Sequence, residues 1–432
     1  MNEHLTLNLG VRWDYETTPS YEDYVTPAEV VEALRNSNTA LPNSGIDIND
    51  YISTGRNRKA DKDNWAPRVG FSYDINADQR HVVFGGAGRS YDRNLFDYLQ
   101  NEVAKASWGQ YTYNFNTPAH PCDTATDATC REWDPRYLDP EFLRASAAVG
   151  GAREVFLNHN DLEVPYSDQF TLGMRNVFAL WGHDWNTEIA YSYVRSHDGI
   201  AFLLGNRRDD GRFFPADPPG ASDPPPWGIG FAPFSNLILA QNALETRTRA
   251  VYLKLEKPYT RASRWGATLA YTYTDSEQNS PIDGWPGAFN AERIEDYGWF
   301  PGKVPEHRVV LTGIWDGPWG LTFSGKGTWA DATPRYYQNC NVSDWAYCYF
   351  DAYTPKEDFK QVDLAVQKEW DTGGGIRWRL RGDILNVFNW SNYSGYDDWR
   401  GGAGEPQNPN WGTPTAIQLP TRTFKLTVGF DW

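Results

Sequence analysis

The sequence predicts an all-β protein, an antiparallel β-barrel that crosses a membrane and carries long loops at one end. Three observations support this: segments that alternate apolar and polar residues, connections that alternate between long and short, and aromatic residues at the strand ends. The mean hydropathy is −0.64. No run of about 18 apolar residues exists, which excludes a bundle of membrane-spanning helices. A barrel remains compatible, because its polar interior lowers the average hydropathy.

The last residues, 421–432, show the alternation most clearly. Apolar side chains occupy one parity and polar or small ones the other, which is the period of a β-strand with one apolar face. About ten alternating residues are also enough for a tilted strand to cross a bilayer. The apolar positions are Phe424, Leu426, Val428, Phe430 and Trp432.

Eleven earlier segments repeat this pattern and bring the predicted number of strands to twelve. The connection after the third segment contains residues 92–104, which are a candidate for a short helix. In chain order the earlier segments lie near residues 5–15, 65–75, 81–91, 170–174, 185–193, 251–255, 265–273, 309–315, 321–329, 362–370 and 376–384.

The connections between these segments alternate long, short, long, short. The long ones are predicted to be polar and irregular, and the Pro-rich one at 205–233 to be a stiff surface loop. Soluble sandwiches and propellers have no reason to collect every long loop at one end. Outer-membrane barrels do, with short periplasmic turns and longer extracellular loops. Tight turns are predicted at 76–80, 179–183, 317–320 and 373–375.

Aromatic residues are concentrated at both ends of the predicted apolar faces. Two aromatic belts separated by aliphatic residues are the girdles expected at the two lipid interfaces. Ordinary enrichment of aromatic residues in strands would not sort them to the strand ends. The short-turn end carries Trp185, Trp265, Trp315, Trp319, Trp370 and Trp432, and the long-loop end carries Trp13, Tyr15, Tyr193, Tyr273 and Trp329.

Charge and cysteine content narrow the class of protein further. The net charge of −16 and the pI of about 4.9 argue against nucleic acid as a partner. The four cysteines form two close pairs, which predict two small disulfide loops and an oxidising compartment. The alternative is four free thiols in a cytosolic protein, and neither pair has the spacing of a zinc site. The pairs are Cys122 with Cys130 and Cys340 with Cys348.

With the strands placed, the sequence resembles the C-terminal barrel portion of TonB-dependent outer-membrane receptors, particularly the Oar-like group. Residues 5–16, 64–92, 382–389 and the terminal strand carry the resemblance. It implies that residues 1–432 are the C-terminal half of a barrel of roughly 22 strands. The plug domain and the signal peptide are expected to be absent from the chain. It also implies import of a bound solute, driven by TonB acting on that plug, and contact with outer-membrane lipid.

No constellation of residues points to catalysis. The histidines are scattered and no Gly-x-Ser-x-Gly elbow occurs, so the sequence predicts neither an enzyme nor a bound cofactor or metal. Two acidic groups could ligate calcium, but neither follows the twelve-residue calcium-loop pattern, and clustered acids are more often a solvated face. They are Asp47, Asn49 and Asp50, and Asp209, Asp210 and Asp217.

Loop tryptophans are the best candidates for ligand binding, because Trp stacks on sugar rings and packs on peptides. They could equally hold the long loops together as small cores. The candidates are Trp227, Trp285, Trp299, Trp345, Trp399 and Trp411.

A row of arginines is predicted to face the lumen. Arg377, Arg379 and Arg381 alternate with Trp378 and Leu380, which puts three guanidinium groups on the polar face of one strand. Asp363 and Glu369 share the polar parity of the preceding strand and could pair with them. Such ladders usually stabilise a barrel wall or face a plug.

Three functions remain open at this point. The first is a receptor for active uptake of a peptide, a glycan or another bulky solute. The second is a passive porin or an outer-surface adhesin, in which loops bind a partner and nothing is pumped. The third is a soluble secreted β protein with carbohydrate-binding loops.

Overall fold

The computed structural model describes residues 3–93, 96–106, 113–118, 120–127, 129–147, 153–213, 226–280, 292–293, 296, 298–339, 349–402 and 406–432. The strands in these ranges are β1 (Leu5–Trp13), β2 (Trp65–Asp74), β3 (His81–Tyr91), β4 (Asn114–Phe115), β5 (Cys130–Arg131), β6 (Val155–Asn158), β7 (Tyr166–Leu180), β8 (His183–Leu204), β9 (Leu237–Lys257), β10 (Trp265–Gln278), β11 (Phe300–Pro301), β12 (His307–Asp316), β13 (Leu321–Ala330), β14 (Arg335–Asn339), β15 (Tyr349–Tyr353), β16 (Phe359–Asp371), β17 (Arg377–Leu385), β18 (Tyr393–Tyr396), β19 (Trp399–Gly401), β20 (Pro414–Ile417) and β21 (Thr423–Asp431).

Helices are short and belong to the long connections. They are α1 (Pro19–Glu22), α2 (Ala28–Arg35), α3 (Phe96–Lys105) and α4 (Pro140–Ala147), with 3-10 turns at Asn38–Ala40, Pro42–Ser44, Ile48–Asp50 and Pro135–Leu138. A further 3-10 turn, Pro318–Gly320, lies in the short connection between β12 and β13. The helix predicted within 92–104 is confirmed as α3. No helix in the described ranges is both long enough and apolar enough to traverse a bilayer.

The long strands form one continuous antiparallel sheet in the order β1-β2-β3-β7-β8-β9-β10-β12-β13-β16-β17-β21. All twelve predicted strands are confirmed as members of this path, each beside its predecessor. Two short strands join from the side, β6 on β9 and β11 on β10. Within the described ranges the terminal strands β1 and β21 each have a single neighbour, so the sheet has two edges.

The short connections are tight turns that suit twisted hairpins. Trp181 and Gly182 connect β7 to β8 with φ angles of 55° and 74°. Positive φ at both central residues is what a type I′ turn requires, and its twist matches that of the flanking strands. Such turns fix the register, which pairs Leu180 with His183 and continues along both strands to Tyr166 and His197.

One face of the sheet is apolar and remains uncovered. Leu9, Leu269 and Leu426 lie on the apolar parity and are 76%, 41% and 72% exposed. Among the described residues, all three buried apolar clusters lie outside this band, and no second sheet packs on it. An uncovered apolar band of this kind is what a lipid-facing barrel wall presents.

At the long-loop end, the apolar band gives way to a row of ion pairs whose side chains point outward, on the same face of the sheet as the band. Beyond Tyr193 and Tyr273, the same parity continues as charged residues at the long-loop end. Aromatic residues followed by charges mark the transition from hydrocarbon to water. The pairs are Arg89–Asp168, Arg195–Glu245, Arg247–Glu277 and Arg249–Asp275.

Strands β8 and β9 extend well beyond the membrane band. They have 22 and 21 residues, whereas a membrane crossing needs about 9–11. The register between them shifts at Ser196, Gly199 and Ile200, so a bulge separates the wall from the extension. Beyond the bulge, β6 pairs in parallel with β9 and completes a small sheet of three strands.

Both faces of this small sheet are covered by the first three long connections. On one face Phe202 and Ile238 pack with Leu99 of α3, and on the other Leu237 and Leu239 pack in the cluster that contains α2. We call this folded unit the cap, formed by the described parts of residues 14–64, 92–164 and 199–244. The prediction that the long connections are polar and irregular is wrong here, because each one supplies apolar side chains to a shared core.

A buried ion pair joins the connections within the cap. Arg58 Nη1 lies 2.6 Å from Glu102 Oε2, and both side chains are 0% exposed. A second guanidinium nitrogen donates to Glu102 Oε1 at 2.8 Å and to the Asn158 carbonyl at 2.7 Å. The Asn158 backbone N–H and side-chain amide both donate to Glu102. The pair therefore ties the first connection to α3 and β6.

Arg207 is a second buried cation of the cap. It is 1% exposed and donates to the carbonyls of Ser44, Leu204 and Asn206. Glu292 is 3.6 Å away and is the one carboxylate within ion-pair distance in the described ranges. Burial lowers the pKa of Arg207 to about 10.

Glycine at position 173 permits a close contact inside the barrel wall. A Cβ there would lie 2.5 Å from Phe84 Cζ and 2.8 Å from the Ile189 carbonyl oxygen. We expect Gly173→Ala to lower the free energy of unfolding by about 1–3 kcal/mol through overpacking, measured by urea titration in lipid vesicles. Gly313→Ala is the control, because its Cβ would meet only the Gly266 oxygen at 3.9 Å. Equal losses in the two variants would contradict the prediction.

Candidate functional site

A cavity of about 430 Å³ opens on the lumen side of the wall at its long-loop end. The floor of the cavity is formed by the long-loop ends of β12 and β13. Val309 and Trp329 face outward there, and Arg308 and Thr328 have the opposite parity, so their side chains face the lumen. The sides of the cavity come from the segments before β16 and around β18. The lining residues are Pro305, Arg308, Thr328, Ala330, Asp331, Ala332, Thr333, Arg335, Pro355, Glu357, Asp358, Phe359, Tyr393, Ser394, Tyr396 and Gln418.

The two arginines of the cavity differ in their partners. Arg335 is held by Asp398, with Nε 3.0 Å from Oδ1 and Nη2 on Oδ2, and it stacks on the Tyr396 ring at 5.4 Å. Arg308 makes no hydrogen bond or ion pair with any other residue that the structure describes. An unpaired guanidinium in a concave site is suited to bind a carboxylate or phosphate, which it can contact through two donors.

Asp398 connects the cavity to an aromatic cluster behind it. The Tyr353 hydroxyl donates to Asp398 Oδ1 at 2.6 Å. Burial first, and then the Asp398 carboxylate, raise the pKa of Tyr353 above its ordinary value, so the phenol stays a donor. Asp398 therefore accepts from both Arg335 and Tyr353, which fixes the arginine that lines the cavity.

Trp411 is the centre of that aromatic cluster. Its ring lies 5.4 Å from Tyr337 and 5.2 Å from Tyr353, and the Arg400 guanidinium lies 5.0 Å above it. Its Nε1–H is buried and has no acceptor among the described residues. These contacts match the interpretation of Trp411 as part of a small loop core.

The other candidate tryptophans do not converge on one place. Trp299 packs under Arg247 at 4.1 Å, near the outward ion pairs, and Trp227 is 40% exposed in the cap. Trp399 lies on β19, where its backbone N–H donates to Asp397. Trp285 and Trp345 lie outside the described residues. None of the four described tryptophans lines the cavity.

The arginine row has carboxylate partners other than those suggested by the sequence. Arg377, Arg379 and Arg381 share one face of β17, opposite the face of Trp378 and Leu380. The ion pairs that form are Arg377–Asp371 and Arg381–Asp383. Glu369 lies opposite Arg379 in the register but accepts from Gln367, and Asp363 accepts from Gln361 and Asn386.

One of the two predicted disulfides lies within the described ranges. Cys122 and Cys130 are bonded, with their Cα atoms 5.9 Å apart. Cys340 and Cys348 lie outside those ranges, so their pairing stays a prediction. Among the acidic groups, Asp47 and Asp210 accept from backbone N–H groups two residues further along, and Asp217 is not described.

Sequence reasoning missed the residues of the cavity. Arg308 is a polar-parity residue at the end of a predicted strand, and this position marks it as facing the lumen mouth. Tyr393, Tyr396 and Asp398 lie in a segment where no periodic pattern signals their position. They come together only through the small sheets β14-β15-β19 and β18-β20.

Comparison with solved structures finds a similar fold in one outer membrane transporter. The outer membrane transporter YddB from Escherichia coli matches with a TM-score of 0.52 and 14% identity over 85% of this chain and 41% of that one. The ferripyoverdine receptor and the ferric enterobactin receptor (PfeA) of Pseudomonas aeruginosa match with TM-scores of 0.44 and 0.42 and identities of 12% and 11%. They cover 86% of this chain each, and 34% and 40% of their own chains.

The chain thus spans about two fifths of the length of YddB, at 41%. A search of the curated proteins finds no match. A family model described as "Outer membrane beta barrel domain" matches residues 1–338, which is more than half of the chain. The chain belongs to the family of outer membrane beta-barrel domains and lies in the outer membrane of a Gram-negative bacterium.

Proposed function

We propose that this chain is the barrel portion of a receptor that binds a solute at its outer mouth and imports it with energy delivered through TonB. The cavity on the lumen side, with the unpaired Arg308 in its floor, carries the proposal. The likeness of the fold to a transporter supports it. The sequence segments 5–16 and 64–92 favour the Oar-like group within that receptor class. The proposal assigns the chain no catalytic role.

The unpaired Arg308 favours a polar cargo with an anionic group, and the carboxylates of Asp331, Glu357 and Asp358 in the same lining favour hydroxyl or amine groups elsewhere on that cargo. Arg308 supplies an unpaired positive charge, and Tyr393 and Tyr396 supply flat surfaces with hydroxyl groups. Ligand sites usually measure about 300–1,000 Å³, so a cavity of about 430 Å³ accommodates one residue or ring of a larger solute. Peptides and glycans with carboxylate groups are cargo of this chemistry.

The two edges of the sheet support the view that more strands complete the barrel. Unpaired backbone groups of an open edge are not tolerated in hydrocarbon, because nothing there can hydrogen-bond them. β1 and β21 are such edges in the described ranges. We propose that residues 1–432 form the C-terminal part of a barrel of roughly 22 strands, whose plug contacts TonB and whose outer face contacts lipid.

Uptake by cells that express the complete gene tests the proposal. Labelled acidic oligopeptides and acidic oligosaccharides are supplied with and without an uncoupler of the proton-motive force, and in a strain that lacks TonB. We expect accumulation that both treatments abolish. Accumulation that neither treatment changes would identify a passive porin, and surface binding without accumulation would identify an adhesin.

Removing the unpaired guanidinium should weaken cargo binding. Arg308→Ala is expected to reduce surface binding of the labelled cargo at least tenfold, because a charge-assisted hydrogen bond contributes about 1.5–3 kcal/mol. Binding is measured at low temperature, where uptake is slow. Lys326→Ala is the control, since Lys326 shares the lumen parity of β13 but does not line the cavity. Equal weakening in both variants would point to a general charge effect.

A further inference from the structure

Three potential metal ligands meet at the outer end of β12 and β13. Glu306 precedes β12, His307 is its first residue, and Asp331 directly follows β13. The register pairs Arg308 with Ala330, which brings the residues on either side of this pair together. One donor atom from each of the three side chains lies within 4.8 Å of the others. His307 Nε2 and Glu306 Oε1 are 3.9 Å apart.

Neighbouring residues orient these side chains so that they can bind one ion together. The Tyr271 hydroxyl lies 2.7 Å from His307 Nδ1, which leaves Nε2 as the donor atom of the imidazole. Metal-bound histidines typically make such a second hydrogen bond, which fixes the tautomer and the ring orientation. Asp331 Oδ2 accepts from the His307 backbone N–H at 3.0 Å. Its Oδ1 makes no hydrogen bond within the described part of the chain.

We propose that Glu306, His307 and Asp331 bind one divalent transition-metal ion, with Zn²⁺ as the reference ion. One imidazole nitrogen and two carboxylate oxygens suit ions of intermediate softness, whereas calcium and magnesium prefer an all-oxygen set. Tetrahedral ligands at the usual zinc distances lie about 3.4 Å from one another. Small side-chain rotations close the present gaps, and Glu306 is free to move because its side chain is 60% exposed. Water completes the coordination.

The position of the site indicates what a bound ion does. Glu306 and His307 end the connection that follows β10, and Asp331 begins the one that follows β13. Pro305, Arg308 and Asp331 all line the cavity. His307 has the outward parity of β12 and lies opposite Tyr273, so an ion held here clamps the two connections together on the outward side of the wall, next to the rim of the cavity that Asp331 lines. The site consists of this chain's own residues and does not depend on the identity of the cargo.

Zinc titration of the full chain in detergent tests the proposal. Binding is measured by isothermal calorimetry, and Co²⁺ absorption reports the ligand set and geometry independently of the heat signal. We expect one ion per chain. His307→Ala should weaken binding at least a hundredfold, Glu306→Gln at least tenfold, and Tyr271→Phe about 10–100-fold through loss of the orienting hydrogen bond.

His197→Ala is the matched control. His197 also lies beside one carboxylate, with Nδ1 3.9 Å from Glu245 Oε1, but no third ligand is present there in the described ranges. This variant should bind zinc as the original chain does. The proposal fails if His307→Ala and Glu306→Gln leave the affinity unchanged, or if His197→Ala weakens it equally. Glu306 is exposed, so its variant keeps the fold and decides the outcome if His307→Ala misfolds.

Discussion

Replacing Glu102 with alanine is expected to destabilise the cap by about 3–5 kcal/mol, because it leaves the Arg58 guanidinium buried without its counter-charge. Both side chains are 0% exposed, so water does not replace the lost partner. The Asn158 backbone N–H and amide lose their acceptor in the same substitution. Since the pair connects three segments of the cap, the loss should appear as opening of the cap and not of the barrel wall.

Hydrogen exchange in the folded protein measures this opening. The amides of β6 and α3 should exchange faster by a factor of roughly a hundred or more, while those of β12 and β13 keep their rates. Arg153→Ala is the control, because Arg153 and Glu29 form a pair whose side chains are 33% and 55% exposed. Exposed pairs contribute about 0–1 kcal/mol. Exchange that is no faster in Glu102→Ala than in Arg153→Ala would contradict the prediction that the buried Arg58–Glu102 pair stabilises the cap.

The membrane strands were predictable because lipid imposes a simple rule on them. A wall with hydrocarbon on one side and a polar lumen on the other needs strict alternation, as in β21 and β10. The cap follows a different rule. Its strands are covered on both faces, so residues 201–204 and 237–240 are continuous apolar runs without a period of two. Such runs carry no signal of which loops will cover them.

The residues that contact one another in the cap and in the cavity are far apart in the sequence. Arg58 and Glu102 are 44 residues apart, and Arg335 and Asp398 are 63 apart. Neither pair has a spacing that single-sequence patterns detect. The tryptophans were chosen for their size and chemistry, yet Trp299 and Trp411 pack on local arginine and tyrosine partners. Glu306 and His307 are adjacent in the chain, but the third residue of the group, Asp331, directly follows the next strand.

A charge placed on the apolar face of the wall should be costly, and the same charge one residue away should not. Leu269 lies near the middle of the membrane part of β10, opposite Leu255 and Leu311 on its neighbours. It is 41% exposed, and no element in the part of the chain that the structure describes covers it. Leu269→Arg is expected to make folding into lipid vesicles less favourable by about 2–4 kcal/mol, because the guanidinium must enter hydrocarbon at the midplane.

Thr268→Arg provides the comparison, because Thr268 has the opposite parity and lies opposite Glu256. On the lumen side the new guanidinium stays in water beside a carboxylate, so we expect a change within about 1 kcal/mol. Urea titration followed by heat-modifiable migration measures both variants in the same vesicles. If Thr268→Arg were the more costly substitution, the apolar parity would have to face a packed interior and not lipid. The difference between these two adjacent positions therefore tests the orientation of every strand in the sheet, since the continuous register propagates one orientation from β1 to β21.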